Sequence, residues 1–326
     1  MQTLIFKTVE NILGGRGVSF KEAQGLYNDT KISLADLLWS ANKVREKFKK
    51  NRIDLCSIVN AKSGNCPEDC RFCAQSAHSR ARIERYPLID VSDILEAAKG
   101  ARKNKATCFG IVTSGKKIGG CKEIAAICKA VTNIKKNIPS LKCSASLGTI
   151  DRQFIVELKK SGLERFHHNL ETSENYFSRV CTTHTYKDRL RTIEEAKGVG
   201  LNICSGGIFG LGESRADRLK LAFTLRALEV ESVSLNFLHP IKGTALENSV
   251  PMPPSEILKT IAMFRLILPK KDIKVCGGRA VNLRGLQPMI FFAGASGMMV
   301  GNYLTQPGQD PAEDLKMIKD LGLKVT

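Results

Sequence analysis

From residue 54 onward the chain repeats one pattern, a short β-branched or otherwise apolar run followed by a longer amphipathic segment. A helix-length crossover returns the chain to the same end of a sheet, so this alternation makes successive strands parallel. Eight such runs occur: Leu55–Asn60, Thr107–Thr113, Lys142–Leu147, Arg165–Leu170, Asn202–Ile208, Ser232–Leu238, Asp272–Cys276 and Gly297–Val300. Helical spacing marks segments between them, among them Asp93–Lys103, Cys121–Lys136, Lys187–Lys197, Ser214–Leu228 and Ser255–Leu268. Eight strand–helix units are the number that closes a parallel barrel, so the expected fold is α/β, a parallel (β/α)8 TIM-type barrel.

The first fifty residues read differently. Leu34, Leu37, Leu38, Ala41, Val44 and Phe48 keep near-helical spacing, and Ser33 stands ahead of them as an N-cap. The expected division is an N-terminal helical extension over 1–50 and a barrel over 51–326. Pro251, Pro253 and Pro254 mark a loop and cap within the barrel, since residues ahead of proline are pushed out of helix.

Composition bounds the setting. With 43% hydrophobic and 25% charged residues the chain has material for a core that needs no disulfides. Lys7 and Glu10 interrupt the first apolar stretch, and no apolar run approaches the roughly 18 residues of a membrane span, so a soluble, cytoplasmic protein is expected. The formal charge of +18 is scattered along the chain and aromatics are 6%, which reads as a solvated surface and not as a nucleic-acid footprint. It also suits docking of an acidic electron donor.

Eleven cysteines in a reducing compartment point to metal chemistry. Cys66, Cys70 and Cys73 form a C-x-x-x-C-x-x-C loop directly after the first strand. Three thiolates on one loop can hold three irons of a 4Fe-4S cube and leave the fourth iron open. Zinc held by the same cysteines with His78 is the competing reading, and its spacing is unlike a zinc finger. Cys108, Cys143, Cys204 and Cys276 fall on the second, third, fifth and seventh strands. Each has an even chance of facing the lumen, and together they suggest a second, auxiliary cluster there. Cys56, Cys121, Cys128 and Cys181 read as packing residues.

The segment Ser63–Ser76, with Pro67-Glu68-Asp69 inside the first gap and Gln75-Ser76 after it, resembles the cluster loop of radical S-adenosylmethionine enzymes, and among them that of the biotin synthases. The likeness extends from about residue 33 to 323. It implies a 4Fe-4S cluster that cleaves S-adenosylmethionine, and an auxiliary cluster whose sulfide is inserted into dethiobiotin. It also implies a flavodoxin or ferredoxin donor and a homodimer. Cys108, Cys143 and Cys204 match the auxiliary ligands. Where the family usually has an Arg ligand this chain has Lys274, with Cys276 two residues on, so a four-iron cluster with an extra sulfide is expected in place of a 2Fe-2S one. Phe72, Asn169, Glu171, Arg189, Gly206 and Gly207 are the implied cofactor contacts, and Asn169, Asn236 and Thr305 the implied substrate contacts. His167 and Gln306 depart from the family pattern.

Overall fold

Each of the eight runs forms a strand in the structure, a computed structural model whose described residues are 2–326. The strands are β1 (Arg52–Lys62), β2 (Cys108–Thr113), β3 (Lys142–Ser146), β4 (Arg165–His167), β5 (Asn202–Phe209), β6 (Ser232–Phe237), β7 (Asp272–Val275) and β8 (Gly297–Met299). Every neighbouring pair is parallel, and β1 bonds both β2 and β8, so the sheet closes. A short β9 (Lys324–Val325) lies outside this ring, parallel to the first residues of β1. Strand β4 stops three residues earlier than its apolar run. The reason is local: Leu170 and Glu171 both donate to the Gly206 carbonyl, and Glu171 turns to φ +67°, so the chain leaves the ladder.

The extension consists of α1 (Gln2–Leu13), α2 (Phe20–Asn28) and α3 (Leu34–Lys49). Ser33 caps α3 by accepting from the Asp36 amide at 3.0 Å. The stripe Leu37, Leu38, Ala41 and Val44 is buried against the helix Pro254–Ile267. That helix is covered on both sides, by α3 and by the barrel, and accordingly is apolar nearly all round.

Polar pairing fixes α2. The Tyr27 hydroxyl meets Thr260 Oγ1 at 2.6 Å and accepts from Arg218 at 3.1 Å. Glu256 takes a two-pronged contact from Arg215, at 2.9 and 2.6 Å, and a third from Arg218 at 2.8 Å. Burial disfavours the Glu256 carboxylate, but Arg215 and Arg218 outweigh it and hold the carboxyl below its usual range. The stability it contributes is therefore present above about pH 4.3 and is lost as pH falls through the lowered folded value. Glu256→Gln should cost about 1–3 kcal/mol at pH 7. Urea unfolding from pH 7 to pH 3 checks this, the gap between variant and parent closing at the acid end.

Candidate active site

The cluster loop springs from the C-terminal end of β1, the end at which parallel barrels build their sites. Gly64 and Asn65 take positive φ, 75° and 54°, and so turn the chain back over the barrel mouth. Gln75 then closes the loop on itself, its side-chain oxygen accepting from the Gly64 amide at 3.2 Å and its carbonyl from the Cys66 amide at 3.1 Å. His78, the residue a zinc site would need, is exposed and sits 3.2 Å from the Pro67 carbonyl.

Cys66, Cys70 and Cys73 line one cavity of about 200 Å³ together with Phe72, Asn169, Glu171 and Arg189. The two acidic residues between the cysteines are turned inward. Asp69 accepts from the Thr182 and Thr183 amides at 2.8 and 3.2 Å and from Cys181 Sγ at 3.1 Å. Glu68 accepts from Thr183 Oγ1 at 2.7 Å and is hydrogen-bonded to His184 Nδ1. His184 Nε2 in turn accepts from Arg189 Nε at 2.9 Å, which puts the imidazole proton on Nδ1, facing Glu68. Arg189 continues the chain to the Asn169 carbonyl at 2.9 Å and to Glu171 Oε1 at 3.4 Å. A continuous run of hydrogen bonds thus ties the cluster loop to the end of β4.

Glu171 is nine-tenths buried, and its second carboxylate oxygen has no protein partner. A buried acceptor left without a donor is what a ligand carrying hydroxyls would satisfy. Asn169 keeps its amide nitrogen available, because only its oxygen is used, by Ser234 at 2.8 Å. Asn236 is more committed, donating to the Gly207 carbonyl at 3.1 Å and accepting from the Gly277 amide at 2.9 Å.

Gly206 and Gly207 serve packing and not the cavity wall. A Cβ on Gly206 would lie 1.8 Å from the Ser234 carbonyl, and one on Gly207 2.3 Å from that of Glu171. The space a Cβ would take at either position is filled by neighbouring backbone, which accounts for glycine at both.

Below the mouth the barrel holds a cavity of about 380 Å³. Thr305 lines its rim with Tyr303 and Gln306, and Cys56, Cys108, Cys204 and Cys276 line its wall. This corrects the sequence reading at two positions. Cys143 pairs in register with Phe109, whereas Ser144 pairs with Gly110, so Ser144 faces the cavity and Cys143 packs into the apolar layer outside. Cys56, read as packing, pairs with Cys108 and shares its inward face. Four inward thiols result, but not the four expected.

Cations surround them. Arg165 Nη1 lies 3.8 Å from Cys108 Sγ, and His167, Arg165 and Lys274 all border the same space. Burial works against the Cys204 thiolate, yet His167, Arg165 and Lys274 outweigh it and hold the thiol at about 6. Burial pushes Cys108 up to about 11. Cys56 Sγ donates to the Met298 carbonyl and Cys276 Sγ to the Lys274 carbonyl, each at 3.7 Å. Lys274 Nζ sits 2.5 Å from Asp54 Oδ2, in an ion pair that turns the ammonium toward the barrel floor.

Two family models match the chain: the radical SAM superfamily over residues 61–225 and the biotin and thiamin synthesis associated domain over 234–324. Biotin synthase of Geotalea daltonii is 49% identical over 325 residues, covering 100% of this chain and 98% of that protein. The chain belongs to the biotin synthase family. Biotin synthase of Geobacter metallireducens is 50% identical and covers 96% of this chain and 95% of its own. Among solved structures, methylornithine synthase superposes with TM-score 0.85 at 18% identity, covering 98% of this chain and 97% of its own. A maturase of the FeFe-hydrogenase does so with TM-score 0.85 at 15% identity, covering 100% and 76%. At such identities these two share the barrel, while the biotin synthases share the sequence as well. The chain is accordingly a radical enzyme of sulfur insertion, using a 4Fe-4S cluster and S-adenosylmethionine on dethiobiotin. No described helix is long and apolar enough to cross a membrane.

Proposed function

We propose that Cys66, Cys70 and Cys73 hold the 4Fe-4S cluster, and that the four inward thiols Cys56, Cys108, Cys204 and Cys276 hold the auxiliary cluster deeper in the lumen. The observation that carries the reading is vertical order in one barrel: three loop thiols at the mouth, an unpartnered Glu171 oxygen beside them, and four thiols below. Four thiolates are a complete ligand set for a four-iron cluster, and Lys274, engaged with Asp54, is not needed as a ligand.

When bound, the cofactors supply what side chains cannot: reductive cleavage of S-adenosylmethionine to a 5'-deoxyadenosyl radical, and a sulfide for the new carbon–sulfur bonds. The protein's own residues position and shield. Glu171 accepts from the ribose hydroxyls, Asn169 offers its amide nitrogen, and the Arg189 fork takes the cofactor's carboxylate. Phe72 lies beside the cofactor. Asn236 and Thr305 contact dethiobiotin, Thr305 at the end that carries its carboxylate tail. Arg165, His167 and Lys274 offset the negative charge of thiolates and sulfide in a space that excludes bulk water.

The enzyme works in the reducing cytoplasm as a homodimer, with a flavodoxin or ferredoxin as donor. All eleven cysteines are free thiols, which suits that compartment. The test is anaerobic incubation of reconstituted, reduced protein with S-adenosylmethionine and dethiobiotin. Methionine, 5'-deoxyadenosine and biotin are expected; 5'-deoxyadenosine without biotin would overturn sulfur insertion. Iron analysis on the same material should give roughly eight irons per chain, and roughly six would return the auxiliary site to a two-iron cluster.

A further inference from the structure

We propose that His184 is a positioning residue for S-adenosylmethionine: it takes its orientation from Glu68 on the cluster loop and holds the Arg189 guanidinium ready for the cofactor's carboxylate. The proposal rests on the reading above that Arg189 receives that carboxylate.

The two side chains meet because of how one helix starts. Helix Tyr186–Gly198 is capped by Thr185, whose hydroxyl accepts from the Asp188 amide at 3.2 Å while the Asp188 carboxylate accepts from the Thr185 amide at 3.0 Å. In such a capping box the residue before the cap lies against the fourth residue of the helix, and apolar pairs commonly fill the two positions. Here they are His184 and Arg189. Phe177 packs on both, its ring centroid 5.5 Å from that of His184 and 5.6 Å from the guanidinium carbon. The side chains of His184 and Glu68 are 6% and 7% exposed, so protein groups and not bulk water must satisfy the ring nitrogens.

Each nitrogen has its own partner. Nδ1 faces the Glu68 carboxylate, and Nε2 accepts from Arg189 Nε at 2.9 Å. A ring nitrogen beside a carboxylate keeps its proton, which leaves the far nitrogen as the acceptor a guanidinium needs. Glu68 thereby selects the one tautomer that can hold Arg189, since the other would set two N–H groups face to face. With Nε on His184 and Nη1 on the Asn169 carbonyl and Glu171, the guanidinium is fixed at two of its three nitrogens. Among the described residues Nη2 has no hydrogen-bond partner, and Arg189 lines the cavity of Cys66, Cys70 and Cys73. An arginine left free would have to be ordered when an anion arrives, whereas one already clamped binds it more tightly. The clamp also couples the cluster loop to the cofactor site, because Glu68 stands between Cys66 and Cys70.

The experiment measures S-adenosylmethionine binding to anaerobically reconstituted holoenzyme by equilibrium dialysis. The proteins compared are the parent, His184→Asn, His184→Gln, Arg189→Lys, and His184→Asn combined with Arg189→Lys. In His184→Asn the amide can still donate to Glu68 but no acceptor reaches the place of Nε2, and the Kd should rise about tenfold. In His184→Gln the longer side chain sets its oxygen there, and the Kd should stay within about threefold of the parent. Arg189→Lys lacks both the Nε–H and the fork and should bind more weakly than His184→Asn, and adding His184→Asn to it should change nothing further. 5'-Methylthioadenosine, which has the adenine and ribose without the carboxylate, should bind all of these proteins alike, and iron per chain should not change. An unchanged Kd in His184→Asn overturns the proposal. So does an equal loss of methylthioadenosine binding or a loss of iron, either of which would make His184 a support of the loop alone. If Arg189→Lys binds S-adenosylmethionine as tightly as the parent, the assignment of Arg189 to the carboxylate fails and the proposal with it.

Discussion

Cys56→Ser should abolish the auxiliary cluster and with it biotin formation, while Cys143→Ser should leave both in place. The difference follows from register. In a parallel pair, residues in register point to the same face, so Cys56 and Cys108 turn inward together, as do Gly110 and Ser144. Cys143 falls on the odd position between and is buried in the outer layer, its amide donating to Glu164 at 3.0 Å. Replacing its thiol by a hydroxyl puts a more polar group into an apolar layer and should cost about 1–2 kcal/mol of stability, with no loss of metal. Loss of Cys56 removes one of four proposed ligands, and sulfur transfer should fall at least about a hundredfold, because ligand geometry and sulfide donation fail together. Iron and sulfide per chain, measured after anaerobic reconstitution, give the answer: roughly four irons for Cys56→Ser against an undiminished count for Cys143→Ser. The reverse pattern would put the auxiliary cluster back on the ligand set expected from the sequence.

Those two cysteines also show what the sequence made legible. The barrel was readable because each unit carries its own signal, an apolar run and then a periodic helix, and closure needs only their number. The cluster loop was readable because its three thiols lie within one local turn. Which cysteines face the lumen depends on parity along short strands, and that cannot be judged from one cysteine at a time. A parity signal did exist in β3, where Ser144 and Ser146 alternate with Cys143 and Ala145, polar against apolar. Taking the polar set as inward would have excluded Cys143. No comparable cue was available for Cys56, whose partner is set by pairing with a strand some fifty residues away. The packing reason for the two glycines was hidden for a related cause. Gly206 and Gly207 are required by the backbones of β6 and of the segment after β4, contacts that exist only once the barrel has closed.

Asp314→Ala should destabilise the fold by about 3–5 kcal/mol, although residue 314 lies far from the thiols in sequence. Arg279 and Asp314 are 1% and 0% exposed, and Arg279 Nη2 lies 2.8 Å from each carboxylate oxygen. Asp314 belongs to the helix Pro311–Asp320, and Arg279 begins the short helix Arg279–Leu283, three residues after Cys276. The pair therefore clamps the last helix to the end of β7. Removing the carboxylate leaves the guanidinium buried beside the neutral Gln287 side chain, with no opposite charge on it. The cost comes chiefly from that stranded charge and not from the lost attraction, so Arg279→Met combined with Asp314→Leu should recover most of the stability. Urea unfolding of the single and double variants separates the two contributions. A double variant as unstable as the single would mean that the ion pair's geometry itself holds β7 in place. In that case both variants should also lose the Cys276 ligand position and bind less auxiliary iron, whereas a stranded charge predicts normal iron in the double variant.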